Sequence, residues 1–203
     1  MEALWPEGPP DAADASLSAL LSKLRRALGP EALEGKAELH LVLPPEAWID
    51  VEEAGVAVHR AESAVALGEW ERAWAPGRTA LYVANRGFFA GVRGAEERRR
   101  WLEDVRLRAL ECVGTVRLRM GSTEVAAAER AGRVLIEAAP FRESGYRLLM
   151  EALAARDNAA EALRVYDRLR VLLREELGVA PGAAAQDLHR GLLQQLDAVR
   201  RSG

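Results

Sequence analysis

Apolar residues recur at helical spacing almost from end to end of this chain. Leu17, Leu20, Leu21, Leu24 and Leu28 stand three and four apart, with Ser16, Ser18, Ser22, Lys23, Arg25 and Arg26 mostly off that stripe. The spacing predicts a helix over residues 13–28, with Asp11 or Asp14 placed to cap it and Gly29-Pro30 to stop it. A different period follows: Leu39, Leu41 and Leu43 alternate with Glu38, His40 and Val42, downstream of Glu34-Gly35-Lys36. That period of two predicts a small hairpin over Leu33–Leu43, closed by Pro44-Pro45.

From Ile49 onward the pattern is helical again. It predicts helices at about 50–67, 69–84, 94–120, 122–138, 141–156, 158–177 and 182–199. The breaks are Gly68, the stretch Asn85–Gly94, Gly121, Ala139-Pro140, Arg156-Asp157 and Gly178–Gly182. Pro76 is expected to kink or interrupt the second of these helices. One face of the third carries Trp101, Val105, Ala109, Cys112 and Val116, and one face of the sixth carries Ala162, Tyr166, Leu169, Leu173 and Leu177. Connections this short place consecutive helices antiparallel. The turn at Gly121 recurs at Asp157, a spacing within the range of tetratricopeptide (TPR) helix hairpins, and Ala162 with Tyr166 has the small-to-aromatic spacing of such a repeat. Such hairpins bury their apolar faces only by stacking, which predicts a curved array whose concave face binds rather than catalyses.

Composition supports this picture. The 203 residues include 38 Ala, 29 Leu and 26 Arg against 2 Lys, all favourable helix formers, and only 5% aromatics. A large parallel sheet would need Val/Ile runs that the chain lacks. The net charge of −3 excludes a globally basic nucleic-acid coat but not a local basic helix. The longest apolar runs are a few residues, too short to span a bilayer, and the N-terminal residues lack the basic and apolar regions of a signal peptide. The lone Cys112 cannot form an intramolecular disulfide and fits a reducing cytosol. A cytoplasmic location is expected.

Few residues offer chemistry. No phosphate-binding glycine loop, zinc-protease motif or paired-cysteine motif is present, and His40, His59 and His189 have no metal-ligand spacing. The neighbouring carboxylates Glu52-Glu53 and Glu175-Glu176 diverge on a helix. Cys112 on its apolar stripe reads as an inert core thiol. An enzyme, a cofactor and a resident metal are therefore not expected. The run Arg98–Arg100, with Arg93 and Arg106 nearby, is interleaved with Glu96, Glu97, Glu103 and Asp104, the pattern of an ion-paired solvated face. Trp48, Trp70, Trp74 and Trp101 read as core residues rather than a groove lining. The remaining candidate is the basic turn Lys23, Arg25 and Arg26. By itself it reads as the solvated face of an amphipathic helix; beside a hairpin containing Lys36 it has the order of a recognition helix and wing.

Residues 139–182, APFRESGYRLLMEALAARDNAAEALRVYDRLRVLLREELGVAPG, followed by DLHRGLL at 187–193, resemble the bacterial transcriptional activator domain, the TPR-like domain of SARP-type regulators. The upstream segment EERRRWLEDVRLRALE (96–111) is similar as well, and residues 4–33 resemble the last part of the OmpR-like winged helix that precedes this domain in the family. The resemblance implies a mainly α fold: a partial winged-helix segment over 1–46 with recognition helix 13–28 and wing Leu33–Leu43, then a TPR-like array over 47–203. It begins near the end of the winged helix's second helix, so that domain's sheet and first helices are expected to be missing from these residues. It also implies a transcriptional regulator whose partners are promoter DNA, contacted by Ser22, Lys23, Arg25, Arg26 and Lys36, and RNA polymerase or another regulatory protein. A homodimer is compatible with it. The competing expectation is a protein-interaction module that has lost DNA binding.

Overall fold

The computed structural model describes residue 5 and residues 7–29, 31–35, 38–44, 46–87 and 94–202. Pro30, Lys36, Pro45, Arg93 and the greater part of the expected break at Asn85–Gly94 lie outside the described residues. The chain divides into two compact units, Met1–Ile49 and Asp50–Gly203.

In the first unit, helix α1 spans Ala13–Leu28. It has no side-chain cap at Ala12, so neither Asp11 nor Asp14 caps it, although Asp14 lies in the first turn, where a negative charge suits the helix dipole. Two short strands follow, β1 (Leu33–Glu34) and β2 (His40–Leu41), antiparallel with Leu33 opposite Leu41 and Glu34 opposite His40. Gly35 sits at φ 90°, and a Cβ there would fall 1.8 Å from the Glu38 carbonyl oxygen, so this turn requires glycine. The alternation of Leu39, Leu41 and Leu43 predicted a small hairpin over Leu33–Leu43, and the two strands fall within it. Leu39, Leu41 and Leu43 are exposed, because the ladder extends over only two residue pairs and no second layer among the described residues of the unit covers it.

The regular elements of the second unit, among the described residues, are helical: α2 (Asp50–Ala66), α3 (Trp70–Asn85), α4 (Glu96–Met120), a 3₁₀ turn (Ser122–Glu124), α5 (Val125–Ala138), α6 (Glu143–Ala154), α7 (Ala159–Leu177) and α8 (Ala183–Ser202). Its core is a chain of clusters that share helices. Ala54, Val58, Ala80, Val83 and Val105 join α2, α3 and α4; Leu107, Ala128, Leu135 and Leu148 join α4, α5 and α6; Tyr146, Met150, Val165 and Leu169 join α6 and α7. The alanine excess now has a location, since Ala54, Ala57, Ala61, Ala73 and Ala80 are buried where α2 meets α3 and α4. Small residues there let helix backbones approach closely. Glycine does the same between α5 and α6: a Cβ on Gly132 would come within 2.9 Å of the Leu149 backbone nitrogen.

Helix α4 is buried on more than the predicted stripe. Val105, Ala109, Cys112 and Val116 are buried, and so are Leu102, Leu107, Val113 and Leu118, because α4 packs against α2, α3, α5 and α6. Pro76 does not interrupt α3, which runs unbroken from Trp70 to Asn85. Packing compensates for the lost backbone bond: the neighbouring Gly77 lies against Val113 and Ala61, where an added Cβ would come within 3.2 Å of Val113 Cγ2. The repeated turn at Gly121 and Asp157 has a common physical basis. Both residues have positive φ, 71° and 59°, and Asp157 is the described non-glycine residue in that region. Asn158 then caps α7 by accepting the Glu161 N–H. On α7 the predicted face is buried as far as Leu173. Leu177 is 55% exposed, since it falls in the last turn beyond the end of α6.

Candidate interaction surfaces

In the first unit the predicted contact residues divide by role. Arg25 is half-buried and donates from Nε to the Leu33 carbonyl (3.4 Å) and from Nη2 to the Gly35 carbonyl (2.8 Å), tying the hairpin to α1. Ser22, Lys23 and Arg26 are exposed on α1, and among the described residues no ion pair engages Lys23 or Arg26. The same helix leaves Leu20 (49%), Leu24 and Leu28 exposed, so its apolar stripe lacks a covering layer among the described residues of its own unit. Trp48, expected in a core, is 66% exposed.

In the second unit, a charged network lies where α2, α4 and α6 meet. Arg108 donates from Nε and Nη2 to the two carboxylate oxygens of Glu62 at 2.6 and 2.5 Å, and its Nη1 lies 3.5 Å from Asp104. Asp104 also receives Arg142, and Ser144 donates to Glu111 at 2.7 Å. The bonds from Arg108, outweighing desolvation, hold the Glu62 carboxyl below its ordinary value. The network borders a cavity of about 420 Å³ whose wall includes Cys112. Burial pushes the Cys112 thiol up to about 12, so it carries no thiolate at neutral pH. Glu62, Asp104, Arg108 and Arg142 each face an opposite charge and Glu111 accepts from Ser144, which makes the network a brace between helices rather than a site.

The tryptophans Trp70, Trp74 and Trp101 are half-buried and lie under guanidinium groups. Arg78 and Arg117 stand 5.3 and 5.7 Å from the Trp74 ring centre, Arg119 is 5.8 Å from Trp70, and Arg98 is 5.5 Å from Trp101. The Arg98–Arg100 run behaves in part as its pattern predicts, with Arg99 paired to Glu96, and Arg106 nearby paired to Glu103.

The sequence predicted a concave binding face without locating it. An open groove of about 1070 Å³ is bounded by α5 and α7, with α6 between them. Pro140, Val171 and Leu172 contribute apolar surface over the buried Ile136 and Tyr146, and charged side chains of α5 and α7 form the rim. The sequence signal for it was the polar face of α7, where Glu161, Arg164, Arg168 and Glu175 recur at helical spacing.

Comparison with known proteins gives a consistent picture. The family described as bacterial transcriptional activator domain matches residues 49–193. The regulatory protein AfsR of Streptomyces coelicolor is 35% identical over 197 residues, covering 96% of this chain and 20% of that protein. The transcriptional regulatory protein EmbR of Mycobacterium bovis is 30% identical over 217 residues, covering 95% of this chain and 52% of that protein. A solved structure, Mycobacterium tuberculosis EmbR in complex with a low-affinity phosphopeptide, superposes with a TM-score of 0.67 at 23% identity, over 96% of this chain and 53% of that one. That likeness is one of fold. The chain spans between a fifth and about half of the length of these relatives.

Proposed function

The chain belongs to the bacterial transcriptional activator domain family of SARP-type regulators, and from that membership we propose that it acts in transcription, contacting promoter DNA through α1 and the hairpin and RNA polymerase or another regulatory protein through the helical array. The observation that carries the reading is the order of parts: a basic helix with a hairpin tied to it, followed by the activator domain at residues 49–193. Ser22, Lys23 and Arg26 face solvent and supply the DNA contacts. Arg25 positions the hairpin, and Lys36, which follows β1 in the sequence, adds a further cation. Cationic side chains on one helix neutralise phosphates, and the hairpin gives a second point of contact across the backbone. The setting is the cytoplasm, and no helix among the described residues is long and apolar enough to cross a membrane.

The test is binding of labelled DNA from upstream of the neighbouring genes, titrated against salt. Neutralisation of three phosphates by Lys23, Arg26 and Lys36 gives a slope of log K against log salt of about −3. Lys23→Ala with Arg26→Ala should lower both the affinity and the slope. Absence of salt-sensitive binding would reject DNA contact by this chain.

A second reading has its own support. The leucines of α1 are exposed and the chain carries a net charge of −3, both of which suit a protein-interaction module without a DNA role. A partner complex formed equally well by the wild type and the Lys23/Arg26 variant, with no DNA shift, would favour it.

A further inference from the structure

The groove between α5 and α7 has an uneven charge pattern. Most of its charged side chains are already neutralised on their own helices: Arg133 by Glu129, Arg164 by Glu161, Asp167 by Arg170 and Glu175 by Arg174. Among the described residues, two charged groups of the groove remain without an ion pair, Arg168 on α7 and Glu137 on α5, and both are exposed. The helix packing shows how they are arranged. Gly132 lies against Leu149 and Gly145 against Leu135, so α5 and α6 run antiparallel; α6 and α7, joined by the short turn at Asp157, do the same. Helices α5 and α7 therefore run in the same direction on either side of α6. Arg168 falls near the middle of α7, within electrostatic range of Tyr146, and Glu137 lies in the last turn of α5. An unpaired cation and an unpaired anion thus stand on opposite walls, with apolar surface from the half-exposed Val171 and Leu172 on α7 and the exposed Pro140 just after α5.

We propose that this groove binds a peptide segment of a partner protein, with an acidic side chain on Arg168, a basic side chain on Glu137 and an apolar side chain between them. Charge complementarity selects this occupant. A uniformly acidic or uniformly basic segment would satisfy one wall and be repelled by the other. The groove is also open, which suits an extended or helical segment better than a small molecule enclosed on all sides. The inference rests on the protein-contact half of the proposed function and is independent of DNA contact by α1.

The experiment uses the full chain and fluorescein-labelled synthetic peptides of about twelve residues. One has an acidic third, a Leu/Phe centre and a basic third; one is acidic at both ends; one is basic at both ends; one has the mixed charges with a Gly/Ser centre. Fluorescence anisotropy should show the mixed-charge apolar peptide binding at least about tenfold more tightly than the other three. Arg168→Glu and Glu137→Lys should each weaken it by about tenfold, and the double exchange Glu137→Arg with Arg168→Glu should restore binding of the peptide written in reverse order. Both positions are exposed, and unchanged thermal unfolding confirms that the variants are folded. No saturable binding up to about 100 µM peptide, or binding indifferent to both substitutions, overturns the proposal. DNA binding is measured on the same preparations. Its loss with peptide binding retained rejects DNA contact alone, and the reverse rejects the groove alone.

Discussion

Glu143, in the first turn of α6, accepts the backbone N–H of Gly182 on both carboxylate oxygens, each at 3.0 Å, across 39 residues of sequence. Gly182 immediately precedes α8, so this carboxylate caps a helix from a distance and places a negative charge at the positive end of its dipole. Its neighbours make similar long links: Arg142 reaches Asp104 on α4, and Ser144 reaches Glu111. Parts of the stretches 96–111 and 139–182, which carry the family resemblance, are thereby tied together around the N-terminus of α6.

Glu143→Ala should detach α8 first. A lost cap costs about 1 kcal/mol, the effect being local to the α7–α8 connection. Hydrogen exchange should show faster amide exchange in the first turn of α8, with the α2–α4 amides unchanged. Unchanged protection in α8 would remove this role from Glu143.

Gly132→Ala and Gly191→Ala should have opposite effects. A Cβ on Gly132 meets Leu149 backbone atoms at 2.9–3.0 Å, which cannot move without shifting α6, so a loss of about 1–3 kcal/mol is expected. A Cβ at Gly191 meets nothing within 4 Å on α8, and alanine there should stabilise by up to about 1 kcal/mol. Urea unfolding midpoints of the two variants provide the check.

Acid should weaken the second unit through specific carboxylates. Glu62 is held low chiefly by the bonds from Arg108, and Glu129 chiefly by that from Arg133, with Arg156 adding to it. A carboxyl whose folded value lies below its unfolded one contributes stability that is fully present above the unfolded value of 4.5 and is lost as pH falls through the folded value. Stability should therefore be insensitive to these groups above about pH 5.5 and decline below about pH 4.5. In Glu129→Gln the decline should be shallower, with lower stability at neutral pH. Denaturant midpoints across pH for wild type and variant decide this, and parallel curves would contradict it.

Cys112 should resist alkylation. With its thiol pushed up to about 12 and buried between helices, iodoacetamide at pH 8 should label it slowly in the native chain and readily in urea. Rapid native labelling would mean that the α2–α4 layer opens easily.

Leu169→Ala removes a fully buried side chain from the α6–α7 cluster and should cost about 2–5 kcal/mol. A shift in the thermal midpoint smaller than that of Gly132→Ala would indicate that this cluster collapses into the space.

The helices and most of their ends were legible in the sequence because they depend on local terms. Periodicity, Gly121, Asp157 and Gly178 determine where a helix begins and ends, and α1 falls on the predicted 13–28. Burial was less legible. A stripe shows that one face is apolar but not how many neighbours a helix has, so α4 was read as one-sided and is buried on several sides, while Leu39, Leu41 and Leu43 were read as the alternating positions of a hairpin and remain exposed.

By itself, then, the sequence determined the helical class, the hairpin after α1, the family and the basic residues of α1, since each is written in adjacent or periodically spaced residues. Only the tertiary structure decided which charges are free. Arg25 is taken by the hairpin carbonyls, Arg108 by Glu62 and Arg142 by Asp104, whereas Arg168 and Glu137 are left open on a groove. Whether a charged side chain is spent inside the fold or offered to a partner depends on what distant helices bring within about 4 Å, and no local pattern encodes that distance.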